Sequence, residues 1–520
     1  MSLLRNLVTV GGSTTSSRLL GFARDMMMAA ALGTGPVADA FLVAFRLPNL
    51  FRRLFAEGAF ASAFVPLFAR TLEGEGEDAA RQFGREALSA LLALLAVLVL
   101  VAMVAMGPLM HVLAPGFVAD PPKFDLAVLL TRIAFPYLLL ISLTALYSGV
   151  LNARGRFFAA AMAPAFLNIV FVGALAYVLL ADVENSEEAG ILLAVATLVG
   201  GVLQLGVVIA AAARDGMLLS LQRPRLTRGV RRLGALALPA LVAGGVTQIN
   251  IVIGTMIASF APGAIAVLGY ADRLYQLPLG IVGATIAVVM LPDLARHLRA
   301  GRSDLADHTQ NRGLEFAMAL TLPAAIALFV LAEPIVQVIY QRGAFGADDT
   351  LATARVLMGF SAGLPAFVLI KVFSPGFFAR EDTKTPMWFA ATGVVVNVAV
   401  SLALFPFYAE LGIAIATSLS GWVNAALLGI ALHRRGHFPL DAKVRRNLPL
   451  LFAAALAMGA AVWGAALYAD HFFDDARVLV RAGAMAAICG AGLLLFGVFC
   501  QAAGVVDIRA VLGAFRRRRG

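Results

Sequence analysis

Apolar runs of about 20 residues, each long enough for roughly 30 Å of hydrocarbon, recur along the whole chain and are separated by short polar segments. They predict an all-α polytopic membrane protein of about fourteen transmembrane helices. The spans lie near 3–31, 36–69, 86–110, 125–151, 158–181, 189–213, 229–260, 264–295, 313–341, 350–379, 386–406, 411–433, 447–469 and 478–503. The spacing leaves no room for a large soluble domain. The first run has no separate apolar core followed by a small-residue cleavage site, so it reads as a span and not as a removed signal.

Between Gly12 and Phe60 the apolar pattern carries far more charge than lipid-facing helices tolerate: Arg18, Arg24, Asp25, Asp39, Arg46, Arg52, Arg53 and Glu57. On a helix, Thr14, Ser17, Arg18, Gly21, Arg24 and Asp25 share an arc of about 120°. Asp39, Arg46, Asn49, Arg53 and Glu57 share about 80°, with Arg52 beside them and Pro48 expected to kink the helix. An arginine at the bilayer centre costs about 2.5–3.5 kcal/mol, so five facing lipid would cost about 12–18 kcal/mol. The two stripes must therefore face water or partners, which makes them a functional-site hypothesis.

Composition agrees with a membrane class: 61% hydrophobic, 14% charged, mean hydropathy +0.87. The net charge of +10 does not indicate nucleic acid, because the basic residues sort by topology. Of 41 Lys and Arg, 28 fall at the termini and in alternate loops, three (Lys123, Arg342, Arg477) on the opposite side, and ten within spans. That asymmetry predicts that both termini are cytoplasmic. Cys489 and Cys500 share the last span and read as packing residues. No metal is expected, because the six histidines are scattered and His433 and His437 lack an acidic third ligand. Neither Gly33-Thr34-Gly35 nor Gly74-Glu75-Gly76 has the lysine or preceding strand of a phosphate loop. No catalytic set assembles, so an enzyme is not expected and no cofactor is implied.

A weak repeat relates the two halves. Ala63–Arg70 (AFVPLFAR) resembles Val289–Arg296 (VMLPDLAR), and Asn152–Arg156 (NARGR) resembles Phe378–Asp382 (FARED); a proline and an intramembrane asparagine, Asn168 or Asn397, follow each of the latter. The offset of six spans is even. It predicts two like-oriented six-helix lobes related by a parallel pseudo-two-fold axis, 1–222 and 223–440, with two extra helices and a basic tail in 441–520. The segment 214–232, with six arginines, reads as the inter-lobe linker and an anionic-lipid anchor.

In the second half, Asp272 and Arg273 form the next charged cluster; as neighbours they point about 100° apart and each needs a partner elsewhere. Arg18, Arg24, Arg46, Arg52, Arg53 and Arg273 against Asp25, Asp39, Glu57 and Asp272 leave six cations against four anions. This balance favours an anionic substrate, and the planar guanidinium suits phosphate oxygens. The acids are candidates for salt bridges when the cavity is empty, with Ser17, Asn49 and Arg53 as supporting polar groups.

Ser16–Asp25 (SSRLLGFARD), Ala38–Phe41 (ADAF), Arg46–Ala59 (RLPNLFRRLFAEGA) and Ala63–Pro66 (AFVP) resemble the signature of the MurJ (MviN) lipid II flippases, members of the multidrug, oligosaccharidyl-lipid and polysaccharide exporter superfamily. The resemblance implies two six-helix lobes around a central cavity and a lipid-tail groove formed by the last two helices. It implies transport of lipid II, the undecaprenyl-pyrophosphate-linked disaccharide pentapeptide, from the cytoplasmic to the periplasmic leaflet of the bacterial inner membrane. By the same resemblance Arg18, Arg24, Arg52 and Arg273 would bind substrate, with Asp39 and Glu57 as gate or salt-bridge partners. Family sodium sites use second-lobe acids, whereas span 7 here has none and span 11 offers only Asn397. The driving force is expected to be the membrane potential or an ion, and other cell-wall synthesis proteins are conceivable partners. The competing readings are a drug/cation antiporter, which would want an acid-rich cavity, and a non-transporting scaffold acting through its basic loops.

Overall fold

The computed structural model describes the backbone of residues 2–53, 60–473 and 477–505; side chains of 2–16 and of several positions within 240–247 and 284–289 lie outside the description. All regular elements among the described residues are helical. Packing divides the chain into two compact units, Met1–Ala266 with Arg342–Gly346, and Val267–Gln341 with Ala347–Gly520.

Unit 1 contains α1 (Ser2–Leu32), α2 (Pro36–Phe51), α3 (Ala61–Glu75), α4 (Glu77–Val104), α5 (Met106–Leu113), α6 (Pro121–Ala134), α7 (Tyr137–Ala153), α8 (Phe158–Leu180), α9 (Glu187–Arg214) and α10 (Arg228–Ala258), and the start of α11 (Ala264–Arg299). The second expected span contains α2, with Pro48 inside it, and α3. Residues 54–59, including Glu57, lie outside the described residues. α10 packs on α3, α4 and α5 and belongs to unit 1. Small residues let backbones approach where side chains would not fit. A Cβ on Gly201 of α9 would stand 2.6 Å from the Tyr137 ring. Phe60, Phe64, Phe68 and Phe83 pack ring against ring in the core between α3 and α4.

The segment Arg342–Gly346 joins unit 1 through backbone contact. Ala344 N donates to Ala30 O at 2.7 Å. Gly33 and Gly343, at φ +59° and +57°, lie so close to Ala344 O and Ala30 O that a Cβ on either would come within 2.5 Å. Only glycine supplies both that φ and that clearance.

Unit 2 continues with α12 (Ser303–Val330), α13 (Ala332–Tyr340), α14 (Ala347–Ser361), α15 (Leu364–Phe378), α16 (Lys384–Arg434), α17 (Ala442–Tyr468), α18 (Asp470–Phe473) and α19 (Val478–Ala502). The 51-residue α16 holds two helices joined at Ala409 (φ 44°, ψ −126°), between the eleventh and twelfth expected spans. A polar cluster ties α17 to α12: Asn311 Nδ2 donates to Pro439 O (2.9 Å), Arg312 bonds Glu315 and Asp441, and Asn447 donates to Glu315. Nine helical stretches among the described residues are long and apolar enough to cross a membrane, and α1 and α2, which carry the charged stripes, are not among them.

Each unit repeats the other's interruptions. The breaks at Ala105 (α4 to α5) and Leu331 (α12 to α13) are 226 positions apart (331 − 105), as are the turn residues Arg154 and Arg380 (380 − 154). The ion pairs at these turns are matched in place and reversed in sign. In unit 1, Arg156 Nε donates to Asp215, the residue that ends α9, at 2.9 Å; Arg154 also bonds Asp215 and reaches Glu77 at 2.6 Å. In unit 2, Arg435, which ends α16, donates to Asp382 at 2.7 Å. The Thr385 backbone N–H and the Arg435 guanidinium hold Asp382 down to about 2. Burial works against Asp215, but its bonds to Arg154 and Arg156 outweigh it and leave the carboxyl below its ordinary value. Both carboxylates therefore contribute stability above about pH 4 that fades as pH falls through their folded values.

Asp215→Arg alone, which sets a third cation beside Arg154 and Arg156, is expected to destabilise by about 1–3 kcal/mol. Adding Arg156→Asp transplants the unit 2 arrangement and should recover most of that loss. Thermal unfolding of the detergent-solubilised single and double variants checks this, and a double variant no more stable than the single would count against it.

Candidate functional site

The helical spacing of Ser17, Arg18, Gly21, Arg24 and Asp25 sets them along one side of α1, where α8 packs. Arg18 is exposed, whereas the Arg24 and Asp25 side chains keep only 11% and 14% of their surface. Arg24 donates to Asp25 Oδ1 from Nε (3.1 Å) and Nη2 (2.7 Å), and to Asn168 Oδ1 of α8 from Nη1 (3.0 Å). The guanidinium lies 5.7 Å from the Phe171 ring centre, a contact that favours a cation. Asn168 is itself fixed, because its Nδ2 donates to Ser17 O at 3.0 Å. Although sequence neighbours point apart on a helix, the long arginine stem folds back and closes the pair. Three of the five N–H donors of Arg24 are thus engaged, and two remain for an incoming group.

On α2, Asn49 Nδ2 donates to Phe45 O (2.7 Å) and Arg52 Nε donates to Asn49 Oδ1 (3.1 Å), one turn apart. Arg46 Nη1 donates to Thr255 Oγ1 of α10 at 3.0 Å, and Arg53 is exposed. Asp39 stands away from this cluster. It is fully buried and accepts from Lys123 Nζ (2.6 Å), Gly263 N (2.8 Å) and Ala266 N (3.0 Å), the last two at the start of α11. Lys123 is 6% exposed, with Nζ 4.1 Å from the Phe117 ring centre. The charge balance of the stripes changes accordingly. With Asp39 neutralised by Lys123, the α1 and α2 region sets five arginines against Asp25, and against Glu57, which lies outside the described residues.

In unit 2, Arg273 is exposed on α11 and Asp272 accepts from Gln276. The neighbouring Tyr275 is buried between Phe360 and Phe367. Gly283 is the seat of the Lys371 stem, whose Cδ lies 2.5 Å from where a Cβ would stand. Among the described residues no three His, Cys, Asp or Glu side chains come together as a metal site. What the described arrangement in unit 1 can do is hold an anion, since Arg24 is positioned, incompletely satisfied and flanked by Arg18.

The family profile described as Lipid II flippase MurJ matches residues 28–480. The chain belongs to the MurJ family. A probable lipid II flippase MurJ of Rhizobium tropici is 47% identical over 525 residues, spanning all of this chain and 98% of its own. Its counterpart from Rhizobium meliloti (strain 1021) is 50% identical over 464 residues, covering 89% and 86% of the two chains. A solved structure titled "Lipid II flippase MurJ, inward closed conformation" shares the fold, with TM-score 0.77 at 24% identity over 95% of this chain and 98% of that one. This MurJ family member is a multi-pass membrane protein.

Three partners of the site are not tied to it by the sequence. Lys123 looked like a loop cation and Thr255 like one more small polar residue in a span. Asn168 was visible as an intramembrane polar residue of the repeat, but nothing in the sequence tied it to Arg24.

Removing Asp39 strands a buried ammonium and two backbone N–H groups. Asp39→Ala is expected to cost about 3–5 kcal/mol, and adding Lys123→Met should return part of it. Thermal midpoints and membrane yield of the single and double variants measure this; a single variant as stable as the parent would show that the pair contributes nothing.

Proposed function

We propose that this MurJ family member flips lipid II from the cytoplasmic to the periplasmic leaflet of the bacterial inner membrane by alternating access, with both termini in the cytoplasm. The observation that carries the mechanism is Arg24, held by Asp25 and Asn168 with two donors uncommitted and Arg18 exposed on the same helix. A pyrophosphate carries the charge that this cluster lacks, and its oxygens suit the guanidinium fork.

In this reading the inward-open protein draws in the head group. Arg18, Arg24 and Arg52 grip the pyrophosphate, Ser17, Asn49 and Arg53 support them, and Arg273 is likewise assigned to substrate binding. Asp25 competes with substrate for Arg24, so it closes the pair again after release. Glu57 and Asp272 are assigned as gate or salt-bridge carboxylates. Asp39 is assigned a structural salt bridge with Lys123, on which the start of α11 rests. The lobes rock about flexible points such as Gly21 and Pro48, and the polyprenyl tail stays in hydrocarbon throughout.

No cofactor is required, and membrane lipids and other cell-wall synthesis proteins are the remaining partners. The membrane potential is the proposed drive. It supplies about 2.3 kcal/mol per charge per 100 mV, enough to return an empty, net-positive site toward the negative cytoplasm. A drug/cation antiporter would need carboxylates where this chain has arginines, and a scaffold would have no use for Arg24.

Arg24→Ala and Arg273→Ala are expected to insert normally but fail to support growth in cells lacking other flippases, with lipid II retained on the cytoplasmic leaflet. Arg24→Lys should restore transport only in part, because a point charge cannot chelate two oxygens. Protection of lipid II from a periplasmic toxin gives the readout; wild-type accessibility in both alanine variants would defeat the assignment. Collapsing the potential should lower accessibility in the parent, and no change would remove the proposed drive.

A further inference from the structure

Between α9 and α10 the chain runs for more than ten residues without helix, yet it is firmly laid down. Met217 and Leu219 are buried in the core of unit 1, the latter seated on Gly84 of α4. Tyr147 Oη donates to Leu219 O (3.3 Å), Gln222 N donates to Ser89 Oγ (3.0 Å), and Thr227 Oγ1 donates to Glu86 Oε2 (2.6 Å) while accepting from Val230 N to cap α10. The strap thus follows the first turns of α4, just before that helix becomes a long apolar span. This places it at the level where hydrocarbon gives way to headgroups.

Its outer side has an unusual composition. Leu218, Leu221 and Leu226 are 50%, 64% and 73% exposed. Interleaved with them, and continuing into the first turns of α10, are Arg223, Arg225, Arg228, Arg231 and Arg232, all exposed. None of the five makes an ion pair or side-chain hydrogen bond with a described residue, and no Asp or Glu occurs from Gly216 to Ala271. The nearby Glu86 is taken by Thr227 and Gln82, both neutral. Arg228, Arg231 and Arg232 moreover crowd the N-terminal end of a helix, where its dipole disfavours cations.

We infer that residues 217–232 form a docking surface for anionic phospholipid headgroups, the arginines taking the phosphates and the three leucines entering the upper acyl region. The inner contacts hold the strap so that both kinds of side chain face the bilayer together. Leucines at that depth are what an amphipathic interfacial segment buries. Each basic residue near such a surface strengthens attraction to anionic lipid about fivefold.

The test uses full-length protein in nanodiscs of mixed phosphatidylglycerol and phosphatidylethanolamine, with mass spectrometry of the lipids retained on extraction. Wild type is expected to enrich phosphatidylglycerol, and the triple variant Arg223→Gln, Arg225→Gln, Arg228→Gln to lose at least about tenfold of that enrichment. Arg299→Gln, Arg302→Gln, Arg445→Gln, which removes three exposed cations elsewhere, should keep it. Should the strap variant fail to fold, wild type decides alone: raising salt from 0.1 to 1 M shortens screening from about 10 to 3 Å and must cut its enrichment. Equal enrichment in the parent and the strap variant, an equal loss in the control, or salt-independent enrichment would overturn the inference. So would unchanged lipid enrichment together with loss of an acidic protein partner. None of these readouts depends on lipid II transport.

Discussion

A charge inside a transmembrane bundle persists only if something compensates for the water it has lost, and that requirement places the ionised side chains of α1, α2 and α6. It is met in two degrees. Asp39 and Lys123 meet it together: the carboxylate collects an ammonium and two backbone N–H groups, and both side chains are buried away from any ligand in solution. Arg24 meets it in part, through Asp25 and Asn168, and keeps donors in reserve. The first pair holds structure together; the second is equipped to exchange one anion for another.

Moving Asp39 out of the cationic group has a consequence for selectivity. A stripe in which acids nearly balanced arginines would serve a neutral or mixed ligand. With Asp39 consumed elsewhere, the described stripes become more cationic, which strengthens the match to a doubly anionic head group and weakens the case for a cationic drug. The same compensation rule applies to the basic strap, whose arginines have no counterions among the described residues and, by our inference, take them from lipid.

The turns at Arg154–Asp215 and Asp382–Arg435 show how loosely side-chain identity is bound to fold. The helix breaks recur at a constant spacing, so the backbone plan has been kept in both units, while the sign of the pair has been exchanged. At such a turn, complementarity between a loop residue and a helix end is what stabilises the junction, and either order of charge supplies it.

The sequence by itself determined that the chain spans a membrane many times, that its halves repeat, and that its first two spans carry arginines unsuited to lipid. These are properties of composition, period and sign, all readable along one dimension. It also carried the family signature, because that signature is contiguous. What it could not decide was pairing. Asp39 shares a helical arc with Arg46, yet it answers Lys123, 84 residues away. Arg24 faces an adjacent acid by stem flexibility and an asparagine 144 residues away by helix packing. Likewise, the strap and α10 are fastened to α4 by contacts that no local pattern announces. Which charges are spent and which remain available is set by distances in three dimensions, and only the tertiary structure fixes those.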